Sequence, residues 1–498
     1  MEMAFNFISF VFFLCFIILL HTQWRKKAKT RRKLPPGPWK LPIIGNLHQL
    51  SASSQQPTRV LGELAKKYGS QGMMKLQIGE ILAVVVSSPA VAKELIRNHD
   101  LSFATKWQSL ASNTLFYKSV VFSPYGDYWR QLRKVYATEL LNAKNVRSFS
   151  SIRHDEIHSL LADLHSSSGQ LVNFTHRIFL LMSSIICKSA FGKVFTGREE
   201  FLEQINEISE LLGEFDFADV FPSWKVLHGL FSNKKRIMKT HRKVDAIIEN
   251  IIKDHREKVE SGDCLIDVLI TQMDSCGLQL PITHDTIKGV IVEIFSAGSE
   301  TSSSTTVWAM SEMMKNPRVL AKAQAEVREA FRGKEKLEEE DMEELAYLKS
   351  VVKETLRFHP PIPMLVPRDC MEETMVSGYT IPLKSKVLIN VWAMGRDPQY
   401  WEDPESFIPE RFEKSSIDFM GNHFEFLPFG GGRRICPGLG FGFANALSPL
   451  AHLLFHFDWK LPSGVTADTL DMTEMNGIAV ARKNDLFLIP TPKSNPSC

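Results

Sequence analysis

At 498 residues, 44% hydrophobic and 23% charged, the chain has the composition of a large globular protein, and length alone would suggest two or three domains. A formal net charge of +3 gives no footing for a nucleic-acid partner. The seven cysteines are odd in number, scattered and without metal-type pairing, which argues against a disulfide framework and for a reducing compartment.

Residues Met3–Leu20 are almost all apolar, about as long a run as a bilayer crossing needs. Trp24-Arg25-Lys26-Lys27 and further basic residues follow, whereas only Glu2 precedes the run. The basic side then stays cytosolic and the N-terminus crosses the membrane. A cleaved signal peptide would carry its charge ahead of the run and a small-residue cleavage site after it, and neither is present. The expectation is an uncleaved anchor over 1–24, a basic stop and proline hinge over 25–38 (Leu34-Pro35-Pro36-Gly37-Pro38), and a cytosolic catalytic domain over 39–498.

Next come an amphipathic helix over Thr58–Tyr68 and strands over Met74–Ile78 and Ile81–Ser87, joined at Gly79-Glu80. The pattern breaks down from Phe103 to Tyr125, where Trp107 reads as a packing residue. A helix opens after Pro124 and places Trp129 and Arg133 four apart on one face. An indole N–H and a guanidinium side by side can both donate to a carboxylate. Taken alone, the pair reads by default as a core Trp beside a surface Arg. Residues 150–260 are helix-rich, with aromatics over Phe215–Trp224 broken by Pro222. The sequon Asn173-Phe174-Thr175 should stay unglycosylated if the domain faces the cytosol.

Ile282–Met314 is the longest helical pattern, and Ala297-Gly298-Ser299-Glu300-Thr301 lies in its middle. Glycine inside a helix costs stability, so it admits a bulky neighbour or marks a local loosening. Glu300 and Thr301 together could relay protons. The alternative is a Ser/Thr-rich helix whose hydroxyls bond back to carbonyls. Ile294, Ala297, Thr301 and Thr305 share one face and are candidates to line a pocket. Glu354 and Arg357 sit at i, i+3, and with Arg411 of Pro409-Glu410-Arg411-Phe412 they can form a buried charge cluster. Pro360–Arg368 is an extended segment containing Val366. Phe429–Gly438 reads Phe-Gly-Gly-Gly-Arg-Arg-Ile-Cys-Pro-Gly, with Cys436 just ahead of a helix N-terminus. There the helix dipole and Arg434 would favour thiolate. Near the C-terminus, Asn476 reads as a turn residue beside Gly477 or as a polar contact in an apolar run ending Ile478-Ala479-Val480.

Phe429, Gly432, Arg434, Cys436 and Gly438 fall in the spacing Phe-x-x-Gly-x-Arg-x-Cys-x-Gly, and the three other motifs agree in order. By these residues the chain resembles the cytochrome P-450 family of haem-thiolate monooxygenases, in particular its plant microsomal terpenoid and alkaloid hydroxylases. Thr105-Lys106-Trp107 departs from the Ser-Arg-Pro of that group. The resemblance implies one mainly helical domain with a small β-rich lobe, an N-terminal transmembrane helix, and haem b between the long helix and the Cys436 loop. Cys436 would be the iron ligand, with Phe429 and Gly438 beside it. Trp129, Arg133, Arg368 and Arg434 would hold propionates, and Thr301 with Glu300 would deliver protons. Glu354, Arg357 and Arg411 would position the haem loop. Ile294, Ala297, Thr305, Val366, Asn476 and Ile478 would line the pocket. Electrons would come from NADPH through NADPH-cytochrome reductase, and dioxygen would supply the inserted atom. The site would face the cytosol from the endoplasmic reticulum membrane, in contact with lipid. The substrate implied is a sesquiterpenoid or diterpenoid, with an indole alkaloid as the alternative. An oxygen-independent isomerase or dehydratase and a binding or sensing haem protein are the other classes.

Overall fold

The computed structural model describes residues 33–493, except 52–55, 117, 196, 258–263, 275–279, 335–337 and 476. The expected anchor over 1–24, most of the basic stop and hinge, and Asn476 lie outside the described residues. No helix among the described residues is long and apolar enough to cross a membrane.

Ten short strands form three sheets among these residues. They are β1 (Met73–Ile78), β2 (Ile81–Val86), β3 (Thr105–Lys106), β4 (Val172–Asn173), β5 (Arg368–Asp369), β6 (Thr374–Val376), β7 (Tyr379–Ile381), β8 (Lys386–Ile389), β9 (Phe457–Lys460) and β10 (Phe487–Pro492). The largest sheet has the order β1-β2-β8-β5-β3, with β2 and β8 parallel and its other pairs antiparallel. The β-branched run of β2 suits a buried strand. Gly79, at φ 55°, makes the turn that pairs Ile78 with Ile81. That turn reaches a distant segment, because the Glu80 N–H donates to the Val220 carbonyl at 2.9 Å.

Helices make up most of the domain. Those that build the site are α1 (Asp127–Val135), α2 (Ser150–Ser166), α3 (Phe174–Phe191), α4 (Arg198–Gly213), α5 (Lys234–Glu257), α6 (Leu265–Asp274), α7 (His284–Lys315), α8 (Ala346–Phe358) and α9 (Leu439–His456). The long central pattern starts two residues later than Ile282. Thr283 caps α7 in a reciprocal pair with Thr286, which fixes the boundary. Through most of its length α7 is buried around its whole circumference, packed on α3, α8 and α9. Several of its charged groups are paired. Lys288 meets Asp245 at 2.7 Å and Glu249 at 2.8 Å, and Glu312 meets His359 at 2.7 Å. His359 in turn stacks on Trp308 with ring centroids 4.0 Å apart. Asn173 caps α3 by accepting from the His176 N–H, and its amide donates to Asp485 at 2.6 Å.

Candidate active site

The Cys436 loop forms one wall of an internal cavity of about 270 Å³. Gly430 and Gly432 take φ values of 72° and 68°, which L side chains rarely adopt. A Cβ on Gly432 would also lie 2.8 Å from Asp100 Oδ1. The turn closes with the Cys436 N–H on the Phe429 carbonyl at 2.9 Å, and Gly438 is the N-cap residue of α9. Cys436, Phe429 and Gly438 all line the cavity. Burial pushes the Cys436 thiol up, whereas the Gly438 N–H and the Arg133 charge pull it down. Arg133 is the cation whose charge lowers the thiol here, while Arg434, expected in that role, donates to backbone carbonyls.

Beside the thiol stands a wall of cations, Lys106 and Arg368 buried and Arg133 and Arg434 half-buried. Arg434 lies over the Trp129 ring, 4.3 Å from its centroid. It donates to the carbonyls of Ala104, Val120 and Ser123. Arg368 is 1% exposed. It donates to the Gly431 carbonyl at 3.1 Å and reaches Asp100 at 3.4 Å, and its Nε has no partner among the described residues. Arg133 makes no side-chain hydrogen bond among the described residues. Lys106 is buried, with Nζ on the Val366 carbonyl at 2.7 Å. Desolvation depresses all four cations, Arg434 to about 9, and Lys106 and Arg434 are lowered further by neighbouring arginines. Two carboxylates face them. Asp100 is shared with Arg433, and burial raises Glu293 to about 7. Buried charge of one sign without matching counter-charge calls for an anion. The Trp129 indole N–H, expected to be free for a carboxylate, donates to the Val120 carbonyl at 2.9 Å.

Helix α7 crosses the cavity with Ile294, Ala297, Gly298, Glu300, Thr301 and Thr305 lining it. A Cβ on Gly298 would lie 2.8 Å from Ile186 Cδ1, so the glycine admits α3. The helix runs through this point without a break, so of the two reasons weighed for the glycine it is the close neighbour, not a loosening, that applies. Thr301 Oγ1 donates back to the Ala297 carbonyl at 2.6 Å. Glu300 turns away from it and accepts a hydrogen bond from Ser209 of α4. Burial pushes Glu300 up to about 7, partly offset by that bond. The acid and the alcohol therefore face the same cavity without touching each other.

Elsewhere the lining is apolar: Phe116, Phe122, Leu212, Leu365, Val366 and Ile478. Leu365 holds a left-handed φ of 48°, a strained conformation for a branched residue. Trp107 does not line the cavity; it stacks on Phe215 at 6.3 Å and has Lys386 over its ring. Away from the cavity, Glu354 binds Arg357 at 2.7 and 2.8 Å and accepts from Arg411 at 3.1 Å. Arg357 also donates to the carbonyls of Gly395, Pro404 and Ser406, and the Ile408 N–H reaches Glu354 at 2.8 Å.

Asp100, Lys106 and Ser209 were missed by sequence reasoning. Each acts on a partner far along the chain, and none stands in a recognisable spacing.

A thiol on an apolar cavity, a wall of unmatched cations and a long helix across the opening define the class of haem-thiolate proteins. The chain belongs to the cytochrome P450 family, whose profile matches residues 35–489. It is a haem-dependent monooxygenase. It is 55% identical over 499 residues to premnaspirodiene oxygenase of Hyoscyamus muticus, covering 98% of each chain. It is likewise 55% identical over 501 residues to 5-epiaristolochene 1,3-dihydroxylase of Nicotiana tabacum, again covering 98% of each. Two solved zebra fish cytochrome P450 structures, with abiraterone and with progesterone, share its fold at TM-scores of 0.74 and 0.76. Both are 23% identical, cover 88% of this chain, and are themselves covered over 99% and 100% of their length.

Proposed function

We propose that the chain hydroxylates a sesquiterpenoid hydrocarbon or alcohol. The carrying observation is the 55% identity, end to end, to the two oxygenases named above. The apolar lining from Phe116, Phe122, Leu212 and Leu365 supports it, because such a pocket binds by excluding water rather than by matching charges. Thiolate-ligated haem activates dioxygen with electrons from NADPH passed through a reductase, so that one oxygen atom enters a C–H bond and the other leaves as water.

In this reading Cys436 would hold the iron through its thiolate, and Arg133 and Arg368 would hold the carboxylates of the cofactor. Arg434, which keeps one Nη2 N–H beyond its bonds to backbone carbonyls, would reach a carboxylate as well, and Trp129 would do so by exchanging its bond to Val120. Phe429 and Gly438 give the flat group its approach. Thr301 and Glu300 move protons to the reacting oxygen, and a carboxyl held near 7 can both give up a proton and regain one at neutral pH. Ile294, Ala297, Thr305, Val366 and Ile478 hold the substrate and keep bulk water out. Glu354, Arg357 and Arg411 position the Cys436 loop.

The domain would sit on the endoplasmic reticulum membrane through residues 1–24, facing the cytosol and its reductase. Two exposed apolar segments support contact with lipid. Trp39 and Ile43 are 62% and 51% exposed, and Val226, Leu230 and Phe231 are 92%, 76% and 61% exposed. Both segments adjoin the β1–β2 turn. The Gly79 N–H bonds to Ile44 and the Glu80 N–H to Val220, so the two segments share one end of the molecule.

The test is expression in microsomes with a reductase and NADPH against a terpene panel, read by mass. A sesquiterpenoid gaining one oxygen supports the reading. Turnover of indole alkaloids alone would overturn the substrate class.

A further inference from the structure

Far from the haem pocket, three side chains of different chemistry converge where α5 ends and α6 begins. His255 lies in the last turn of α5, Cys264 immediately precedes α6, and Asp267 lies in its first turn. The ligand atoms are His255 Nε2, Cys264 Sγ and a carboxylate oxygen of Asp267, all within 4.8 Å of one another. Cys264 Sγ is 2.9 Å from Asp267 Oδ2 and 3.9 Å from His255 Nε2, and the same Nε2 contacts Asp267 Oδ1. Cys264 is 7% exposed, and the other two are partly buried.

We propose that His255, Cys264 and Asp267 form a binding site for one zinc ion, or a similar borderline divalent cation, that staples α5 to α6. The donor set carries the choice of metal. One imidazole nitrogen, one sulfur and one carboxylate oxygen suit zinc, whereas calcium and magnesium require several oxygens and gain nothing from a thiol. The geometry also fits. Metal–sulfur and metal–nitrogen or –oxygen bonds of about 2.3 and 2.0 Å imply ligand–ligand edges of roughly 3.3–3.6 Å in a tetrahedron. The two sulfur contacts, 2.9 and 3.9 Å, bracket that range, while the His255–Asp267 contact is shorter than it, so the imidazole and carboxylate must move apart to admit the ion. The thiolate and carboxylate match the charge of a divalent cation, and water completes the fourth position. The ring meets sulfur and carboxylate through the same nitrogen, which rules out a Cys–His–Asp catalytic relay, because a relay needs both ring nitrogens.

The competing arrangement is a hydrogen-bonded helix cap, since Asp267 Oδ2 also lies 3.4 Å from the Cys264 N–H. The experiment separates the two. The full-length, haem-loaded protein is treated with a chelator that leaves the haem in place. It is then titrated with zinc against a chromophoric indicator, and metal content is counted after dialysis. The expected result is one zinc per chain, with an upward shift in Tm on adding zinc. Cys264→Ala and His255→Gln should each weaken zinc binding by at least about tenfold and abolish the Tm shift. The carbon monoxide difference spectrum verifies that each variant is folded. Substoichiometric zinc in the wild type, or equal zinc binding by wild type and Cys264→Ala, would overturn the proposal and leave the cap alone.

Discussion

Two arginine clusters, one lining the Cys436 cavity and one away from it, differ in how many acceptors they meet. Off the cavity, Arg357 has two oxygens of Glu354 and three backbone carbonyls. On the cavity, Arg133 has no hydrogen-bond partner among the described residues, and Arg368 keeps an unpartnered Nε. Both are built from a basic residue in a recognisable motif. A cation that lines the cavity with donors unmet is open to a ligand, whereas Arg357, off the cavity with its donors met, is scaffold. Partner count and place together, rather than the residue type, separate the two roles.

The largest effect should come from breaking the completed cluster. Glu354→Ala leaves Arg357 and Arg411 facing each other in a buried site, and loss of one partner from a buried pair costs about 3–5 kcal/mol. We expect little folded protein and almost no haem incorporation, read by thermal unfolding and the carbon monoxide difference spectrum. A variant that loads haem normally would show that this cluster is dispensable.

Arg133→Met should behave differently. It removes a half-buried cation with no hydrogen-bond partner among the described residues, so the haem-free domain should lose little stability. Haem retention should fall by roughly 10- to 100-fold, because a hydrogen bond to a charged group contributes about 1.5–3 kcal/mol. Haem transfer to an acceptor protein measures this directly. Equal destabilisation of both forms would make Arg133 another scaffold residue.

The same contrast explains what the sequence reveals. Glu354–Arg357 and the Cys436 loop are local spacings, and local spacing survives in one dimension. Helix and strand bounds fell within a residue or two at β1, β2 and α7, because caps and turns are also local. Asp100 and Lys106 could not be read in this way, since their partners Arg368 and Val366 lie more than 250 positions away. For Trp129 the fold supplied a carbonyl acceptor that no spacing announces. The direction of Glu300 depended on where α4 crosses α7.

Thr301→Ala should have a moderate effect. The hydroxyl is already satisfied inside its own helix, and Ala is the best helix former, so stability and haem binding should hardly change. If the hydroxyl moves protons during turnover, NADPH consumption should continue while more of it ends as hydrogen peroxide and less as product. Loss of a general acid costs about 100- to 10,000-fold, and water in the cavity should reduce that figure. Unchanged coupling of NADPH to product would assign Thr301 to packing.

The smallest effect, and the finest test of the partner count, concerns Ser209. Glu300 is a buried carboxyl with a single side-chain donor, which places it between Arg357 and Arg133. Burial raises its pKa from the ordinary carboxylate range to about 7, and the Ser209 hydroxyl pulls it back down. Ser209→Ala removes that pull, so the pKa should rise further. The sign for stability follows from linkage. A carboxyl with a raised folded pKa contributes stability that is fully present below its unfolded value near 4.5 and is lost as pH rises through the folded value. Below about pH 4.5 the variant should therefore match wild type, and it should lose more stability than wild type as pH rises, over a window extending above pH 7. In turnover, the pH at which coupling changes should move upward by less than about one unit, with substrate affinity little altered. Infrared titration of the carboxyl band in wild type and variant would locate the pKa itself. A coupling profile that stays in place while the infrared pKa moves would show that Glu300 titrates without serving the reaction. A pKa that does not move at all would mean that Glu300 is satisfied from the cavity side, and that Ser209 is not its controlling partner.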